Sequence, residues 1–374
     1  MNNTLSRNRA KRRDGEDGIA LLIALLFIVL LTVLVVEFVY ETQVESTHTV
    51  GHQRSTEAML TAKSAIAMGM SILESDMYQQ AGVPQDSSQN LGAVPAQNFG
   101  EGYDGFDEYW AQGVPFQERN EAVMQCSISD EFGKLNLNAL VNMQTGQEQP
   151  ILIEALRILF ETRAIELDPV DAILDWIDID ESPRPGGVES EYYQSLEVPY
   201  TSRNGPMASI EELLLIPGIT PDAYFGDPLN DLAPLSDLLT VHGDRFGDIN
   251  LNTAPWELLD ALGVSIGQNG LADLVMAERE QQPFLVVEDY VNRGVLPKDP
   301  LPMEVPQQTN DETAPNQNIL PVLRTVPATV GSKCFRLRGH GIAGSTKVRI
   351  DAYVWRDPQG IDGLFRVIDW RVQQ

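Results

Sequence analysis

Eighteen consecutive residues, Ile19 to Val36, carry no charge, and no other feature constrains the chain as strongly. As a helix this run extends about 27 Å at 1.5 Å per residue, enough to cross the hydrocarbon core of a bilayer. Arg7, Arg9, Lys11, Arg12 and Arg13 precede it, followed by Asp14, Glu16 and Asp17. Basic residues keep that flank in the cytoplasm and send the far side outward. A secretory signal peptide fits poorly, because its apolar region is about 7–15 residues and closes on a small-residue cleavage site. Here the run passes into Val36-Glu37-Phe38-Val39-Tyr40 instead. It does not stop at the membrane edge either. Val44, Ala58, Leu60, Ala62, Ala65, Ile66, Met68, Met70 and Leu73 continue an apolar stripe at roughly helical spacing. One long helix is predicted, starting in the membrane and leaving it, with Gly51 as the point where it can break.

The charge balance narrows the partners. The 374 residues include 54 Asp and Glu against 26 Lys and Arg, a net charge of -28. That opposes binding to nucleic acid, whose affinity rests on positive charge, and equally opposes docking on anionic lipid. It suits an extracytoplasmic protein or one that captures cations. The four histidines show no HExxH or other metal spacing. The two cysteines, Cys126 and Cys334, are read either as two buried thiols or, in an exported domain, as one disulfide.

The order of patterns is a long helix, a strand or two, a helical block, then strands. Residues 76–118 are rich in Gly, Gln, Ser and Asn and read as loop. "AVMQCSISDEFGKLNLNAL" alternates as a strand does. "QPILIEALRILFETRAI", "DPVDAILDWIDI" with Asp168 as N-cap, "SIEELLLIPGI" with Ser209 and Glu212 as a capping box, and "TAPWELLDAL" with Thr253 as cap all read as helices. "GLADLVMAEREQ" and "VVEDYVNRGVL" complete that block. "PQQTNDETAPNQNILPV" reads as a linker. "KCFRLRGHGIAG", "TKVRIDAYVWRD" and "LFRVIDWRVQ" alternate apolar and polar, with "PQGIDG" as a turn, which predicts an antiparallel meander. A domain inserted into a small α+β host gives this order. Within it, "FGKLNLNAL" (132–140) recurs as "FGDINLNTA" (246–254), and the asparagines are suited to capping the helix-like segment after each.

The strongest site candidate is "DWIDIDESPRPGGVESEYY". Asp178, Asp180, Ser182 and Glu189 stand at positions 1, 3, 5 and 12 of a calcium-loop template, a spacing that wraps oxygens around one hard cation. Pro183 occupies the template's glycine position, and Arg184 can offer only its carbonyl. The plainer reading is a solvated acidic loop. Trp176, Tyr192 and Tyr193 serve either as core packing beside the loop or as a partner surface. Two further patterns carry little. "GVSIG" (263–267) matches a nucleophile elbow around Ser265 but comes after a helix rather than a strand. "LLLIPGIT" (213–220) looks like a helix-hairpin-helix turn, yet its flanks, Glu211, Glu212 and Asp222, are acidic where DNA contact needs basic ones.

The charged leader, Gly18, and the apolar helix that turns amphipathic resemble the start of a type IV prepilin or pseudopilin. The resemblance implies that an inner-membrane prepilin peptidase cuts between Gly18 and Ile19 and that Ile19 becomes N-methylated. The fifth mature residue is then Ile23, where most such subunits carry Glu. Lack of that Glu, the paired Asn-Leu-Asn segments and the run Asp175, Trp176, Ile177, Asp178, Asp180, Pro183, Gly187, Glu189, Tyr192, Tyr193 resemble the K-type minor pseudopilin of type II secretion systems. The fold implied is α+β: a pilin-like long helix and antiparallel sheet with a large inserted all-α, SAM-like domain. The segments are then a leader (1–18), the membrane and assembly helix (19–75), a first part of the β region (76–138), the insert (139–322) and the C-terminal strands (323–374). The resemblance also implies calcium, held by Asp178, Asp180, Ser182 and Glu189. Ser190 stands where the family often has Asp, so Glu191 is a substitute donor. Implied too are I-type, J-type and other pseudopilins as partners, the peptidase as processing enzyme, and a single-pass inner-membrane location with the bulk in the periplasm. The implied role is structural, at the tip of the pseudopilus, and not enzymatic. The competing readings are a membrane-tethered periplasmic hydrolase acting through Ser265 and a DNA-handling competence pilin acting through the hairpin.

Overall fold

The computed structural model describes residues 13–80, 102–119, 122–143, 145–163, 165, 168–227, 232–298, 326–356 and 365–373. The first helix, α1, runs from Arg13 to Gln80, 68 residues, and passes through Gly51 without a break. Its two halves differ in what they touch. From Ile19 to Tyr40 the large apolar side chains all lie exposed, with Phe38 at 69% and Leu21 at 70%. Among the described residues this is the one helix long and apolar enough to cross a membrane. From Ala58 onward one face is buried: Ala58, Ala62, Ala65, Ile66, Leu73 and Met77 are each at most 2% exposed. At 3.6 residues per turn these positions fall on one stripe.

That stripe lies on a five-stranded antiparallel sheet. Its strands are β1 (Val114–Arg119), β2 (Ala122–Asp130), β3 (Cys334–Ala343), β4 (Thr346–Arg356) and β5 (Phe365–Gln373), in that order across the sheet. The C-terminal meander read from alternation is therefore present, while its turn "PQGIDG" and the linker 306–322 lie outside the described residues. Cys126, Ile128, Phe335, Leu337, Val348, Ile350, Ala352 and Val354 project toward α1 and form the host core with it. Gly339 and Gly341 of β3 sit where α1 crosses. A Cβ on Gly341 would overlap the Ala58 carbonyl and the Ala62 amide. Small residues on both elements let helix and strand backbones meet.

The stretch 76–118 contains more than loop. Residues 81–101 lie outside the described set, but Asp104 and Trp110 are fully buried, residues 109–112 form a 3-10 turn, and β1 begins at Val114. Its Pro115 lies on an edge strand, where a missing N–H is tolerated.

Between β2 and β3 lies the insert, with a separate core running from Leu135 to Ala328. That core reaches beyond 139 and 322 on both sides. Its helices include α2 (Pro150–Thr162), α3 (Asp168–Ile177), α4 (Ser190–Gln194), α5 (Trp256–Ser265) and α6 (Leu271–Gln281). The insert is not all helix. Leu135–Asn136 pair in parallel with Leu239–Thr240, Ile249–Asn250 with Ala328–Thr329, and Val141–Asn142 antiparallel with Gln147–Glu148. Two-residue ladders leave no alternation to detect.

The repeated asparagine segments act as ties. Asn136 Oδ1 accepts from the Asn138 amide at 3.1 Å, and Asn250 Oδ1 accepts from the Asn252 amide at the same distance. The second asparagine of each pair then clamps a distant backbone. Asn138 bonds both Met207 N and Met207 O, and Asn252 bonds both Phe284 N and Phe284 O. Only the first of the two segments supplies a cap, with Asn136 at the start of a short 3-10 turn. Thr253 is not the cap of α5, which starts after Pro255; its hydroxyl donates to Asp130 Oδ2 at 2.5 Å. Ser209 does cap, accepting from Glu211 N at 3.2 Å, but its helix is 3-10 (Ile210–Leu215).

The two cysteines do not pair. Cys126 lies across from Gly339 and Cys334 across from Trp355, five residues further along β3. That separates them by roughly 17 Å, far beyond the ~7 Å Cα span of a disulfide. Both are buried free thiols, and burial pushes the Cys126 thiol up to about 12.

Candidate metal centre

Helix α3 ends at Ile177 and delivers Asp175 inward, fully buried, and Asp178 just past its last turn. The chain loops out through Asp180 and Ser182 and returns at Glu189, whose backbone starts α4. The return is tight. A Cβ on Gly187 would overlap the Asp175 carboxylate, so any side chain there displaces Asp175. Asp171 holds the same return, accepting from Gly186 N at 3.2 Å and from Arg157 at 2.5 Å.

Asp178, Asp180 and Glu189 converge, each offering a carboxylate oxygen within 4.8 Å of the others. Asp178 and Glu189 are buried and Asp180 is exposed. Among the described residues, Asp178 Oδ1 and both carboxylate oxygens of Glu189 find no hydrogen-bond partner. Burial, then the charges of Asp175, Asp178 and Glu181, push the Glu189 carboxyl up to about 8. Asp178 is likewise raised by burial. Buried, unpaired oxygens facing other carboxylates require either a proton or a cation.

The other sequence candidates stand apart. Ser182 is exposed and meets Asp180 through its backbone N–H, at 2.8 Å from Asp180 Oδ1. Glu191 is exposed on α4 and does not join the converging carboxylates. Ser190, its neighbour, faces inward and bonds Glu181 at 3.0 Å and Ser202 at 2.6 Å.

Sequence reading missed the role of Arg184. Its guanidinium, not only its carbonyl, enters the site. Nη1 lies 2.6 Å from Asp175 Oδ1 and 2.6 Å from Asp178 Oδ2, and Nη2 lies 2.8 Å from Glu148. One cation thus takes Asp175 and half of Asp178. It leaves the other half, Asp180 and Glu189 facing one another. A lone Arg among six acidic residues between 175 and 191 was the available cue. The aromatic residues divide. Trp176 and Tyr193 are buried and meet edge to face at 5.1 Å, with Trp176 Nε1 donating to Glu212 at 3.0 Å, whereas Tyr192 is 40% exposed. The first two pack behind the loop.

The other patterns resolve as structure. Ser265 ends α5 and donates its hydroxyl to the Leu262 carbonyl at 2.7 Å, so no strand-turn-helix elbow surrounds it. The "LLLIPGIT" stretch turns at Gly218 (φ 87°), which packs against Pro169, and its neighbour Glu211 pairs with Arg371. Gly18 and Ile19 both lie inside α1.

Comparison with known proteins gives a concordant set. Residues 133–225 match the family model for type II secretion system protein K. The chain is 27% identical over 300 residues to type II secretion system protein K of Pectobacterium carotovorum subsp. carotovorum, covering 76% of this chain and 82% of that protein. It is 27% identical over 221 residues to the putative type II secretion system protein K of Escherichia coli K12, covering 56% of this chain and 60% of that protein. The same fold occurs in the GspK-GspI-GspJ complex of the enterotoxigenic Escherichia coli type 2 secretion system, with a TM-score of 0.61 at 18% identity over 87% of this chain and 99% of that one.

Proposed function

We propose, from the premise that this chain belongs to the protein K family of type II secretion systems, that it is the minor pseudopilin at the tip of the pseudopilus and helps to start its assembly. One observation carries the reading. A single helix leaves its apolar half, Ile19 to Tyr40, entirely exposed and seats its other half on a sheet. A rod of that kind is at home in lipid or against the rods of sibling subunits. The similar solved structure is a complex with I- and J-type proteins, and these are the partners proposed here. In this reading the bulk lies in the periplasm, anchored in the inner membrane. Prepilin peptidase releases residues 1–18, and Ile19 is then methylated. Ile23 supports the tip position. A carboxylate at the fifth mature position neutralises the amine of an adjacent subunit, and a subunit with no neighbour above it does not need one. The proposed role is structural, and Ser265, the nucleophile of the competing hydrolase reading, bonds the Leu262 carbonyl at a helix end. The SAM-like insert, sitting beside the sheet, is the cap.

Mass spectrometry of the chain recovered from membranes tests the processing. It is expected to begin at methylated Ile19, whereas Gly18→Ala remains full length and fails to support secretion. A full-length, secretion-competent Gly18→Ala protein would falsify the assembly reading.

Calcium binding is part of the same proposal. The orphaned oxygens of Asp178 and Glu189 fit a hard cation, with Asp180 closing the open side. When bound, the ion supplies the positive charge that Arg184 does not extend to Glu189. Saturating calcium is expected to raise the melting temperature of the detergent-solubilised chain, by linkage worth about 2.7 kcal/mol at one hundred times Kd. Glu189→Gln abolishes that rise while keeping the loop's shape. Equal calcium shifts in both proteins would rule the site out.

A further inference from the structure

The C-terminal strands break the chain's charge balance. Residues 323–374 hold nine Lys and Arg against four Asp and Glu, in a chain whose net charge is -28. The alternation of the strands gathers cations on the sheet face turned away from α1. Even-numbered β4 residues from Val348 to Val354 enter the host core, so Lys347, Arg349 and Asp351 point to the other side, and β3 presents Arg338 and His340 beside them.

One carboxylate serves several cations. Asp351 Oδ1 is 2.9 Å from Arg338 Nε, and Asp351 Oδ2 is 3.2 Å from Arg349 Nε. Those two side chains remain 35% and 37% exposed. Lys347 is exposed and has no ion pair among the described residues. The face therefore keeps a surplus of positive charge.

Among the described residues, Asp237 and Pro255 of the insert share a pocket with Arg338, and the insert packs on the opposite end of this face. There His242 stacks on Tyr353 at 4.0 Å and Phe132 approaches Trp355 at 6.1 Å. Arg371 reaches Asp369 and Glu211. Its cation is consumed inside the molecule. Lys347 and Arg349 lie toward the other end, and Arg338 stands at the border between the two.

We propose that Arg338, Lys347 and Arg349 form a docking surface for an acidic polypeptide segment of a partner protein. The occupant is set by charge complementarity and spacing. Lys347 and Arg349 are two residues apart on one strand face, roughly 7 Å, the repeat of same-side residues in an extended chain. An acidic segment laid along the strand meets both. A membrane surface fits less well. Interfacial binding couples basic residues with apolar ones that enter the lipid, and the exposed apolar residues of β5 lie on the other face. Trp370 pairs with Ala352 and Val372 with Ile350, both core positions on the α1 side. The surface does not depend on the tip assignment.

The test uses the full chain in non-ionic detergent and a fluorescent peptide of about ten residues alternating Glu and Thr, read by anisotropy. Binding is expected at about 50 mM salt and to weaken strongly by about 300 mM. Lys347→Glu is expected to weaken it about tenfold or more, and because Lys347 is exposed and unpaired, folding is left intact. Lys63→Glu, an exposed reversal on α1, leaves binding unchanged. Three outcomes overturn the proposal: no binding at low salt, equal loss in both variants, or a Lys347-dependent preference for phosphatidylglycerol vesicles over the peptide.

Discussion

Replacing Arg356 with Gln is expected to destabilise the protein by about 3–5 kcal/mol, the range found when one member of a buried ion pair is removed. Arg356 is 3% exposed at the end of β4. It bonds Asp104 Oδ2 and, at 2.5 Å, the Ser332 carbonyl, and its Nη1 stands 3.5 Å from Asp76 Oδ2 on α1. Asp104 is fully buried, and its backbone carbonyl accepts from Asn250 at 2.9 Å. One guanidinium thus joins α1, the segment before β1, the last core strand and the insert. Without it Asp104, whose carboxyl burial already pushes up, is left in a dry site with no cation. The double variant Asp104→Asn/Arg356→Gln removes that unpartnered carboxyl and is expected to recover part of the loss. Urea unfolding of the two variants measures the coupling.

The same cluster sets a pH dependence. Burial, then Glu108 and Asp104, push the Asp76 carboxyl up to about 8. Its folded pKa lies above the ordinary aspartate value of 3.8, so the folded state holds the extra proton. Stability from this group therefore declines as pH rises from about 4 to about 8. Arg356 pulls that carboxyl downward, so in Arg356→Gln the decline extends to higher pH.

Arg356 also marks where sequence reading ends. The long helix and the three C-terminal strands were legible because their periodicities, 3.6 and 2, persist over many residues. So was the convergence of Asp178, Asp180 and Glu189, since a loop closing on one point has a characteristic spacing. The Arg356–Asp104 pair joins residues 252 apart in the chain, and no local pattern encodes such a contact. The parallel ladders of the insert are too short to show alternation. Glu191 looked equivalent to a ligand in sequence, but Ser190 is drawn inward to Glu181 and Ser202, and α4 turns the next side chain outward. Arg184 was read by its place in a template, while its side chain decides how much negative charge is left for an ion.

Gly341→Val is expected to be strongly damaging to the host domain. Overpacking a core costs about 1–3 kcal/mol when neighbouring side chains can shift. Here they cannot, because the added Cβ meets main-chain atoms, the Ala58 carbonyl oxygen and the Ala62 amide nitrogen. Relief requires lifting α1 from β3, which uncovers Ile66 and Leu73, each worth about 1.5–3 kcal/mol of burial. The loss should reach or pass the upper end of the overpacking range in urea unfolding of the detergent-solubilised chain. A comparison at Gly69 isolates the cause. A Cβ there meets the Leu337 side chain at 2.9 Å and Cys126 Sγ at 3.1 Å. Gly69→Ala should therefore be milder, and trimming Leu337 to Val should rescue it. No side-chain truncation on α1 should rescue Gly341→Val, since Ala58→Gly leaves the offending carbonyl in place. If Ala58→Gly did restore stability, the close approach of helix and strand backbones would not be what seats α1 on the sheet. The rod's exposed apolar half would then be held by the sheet through a different contact.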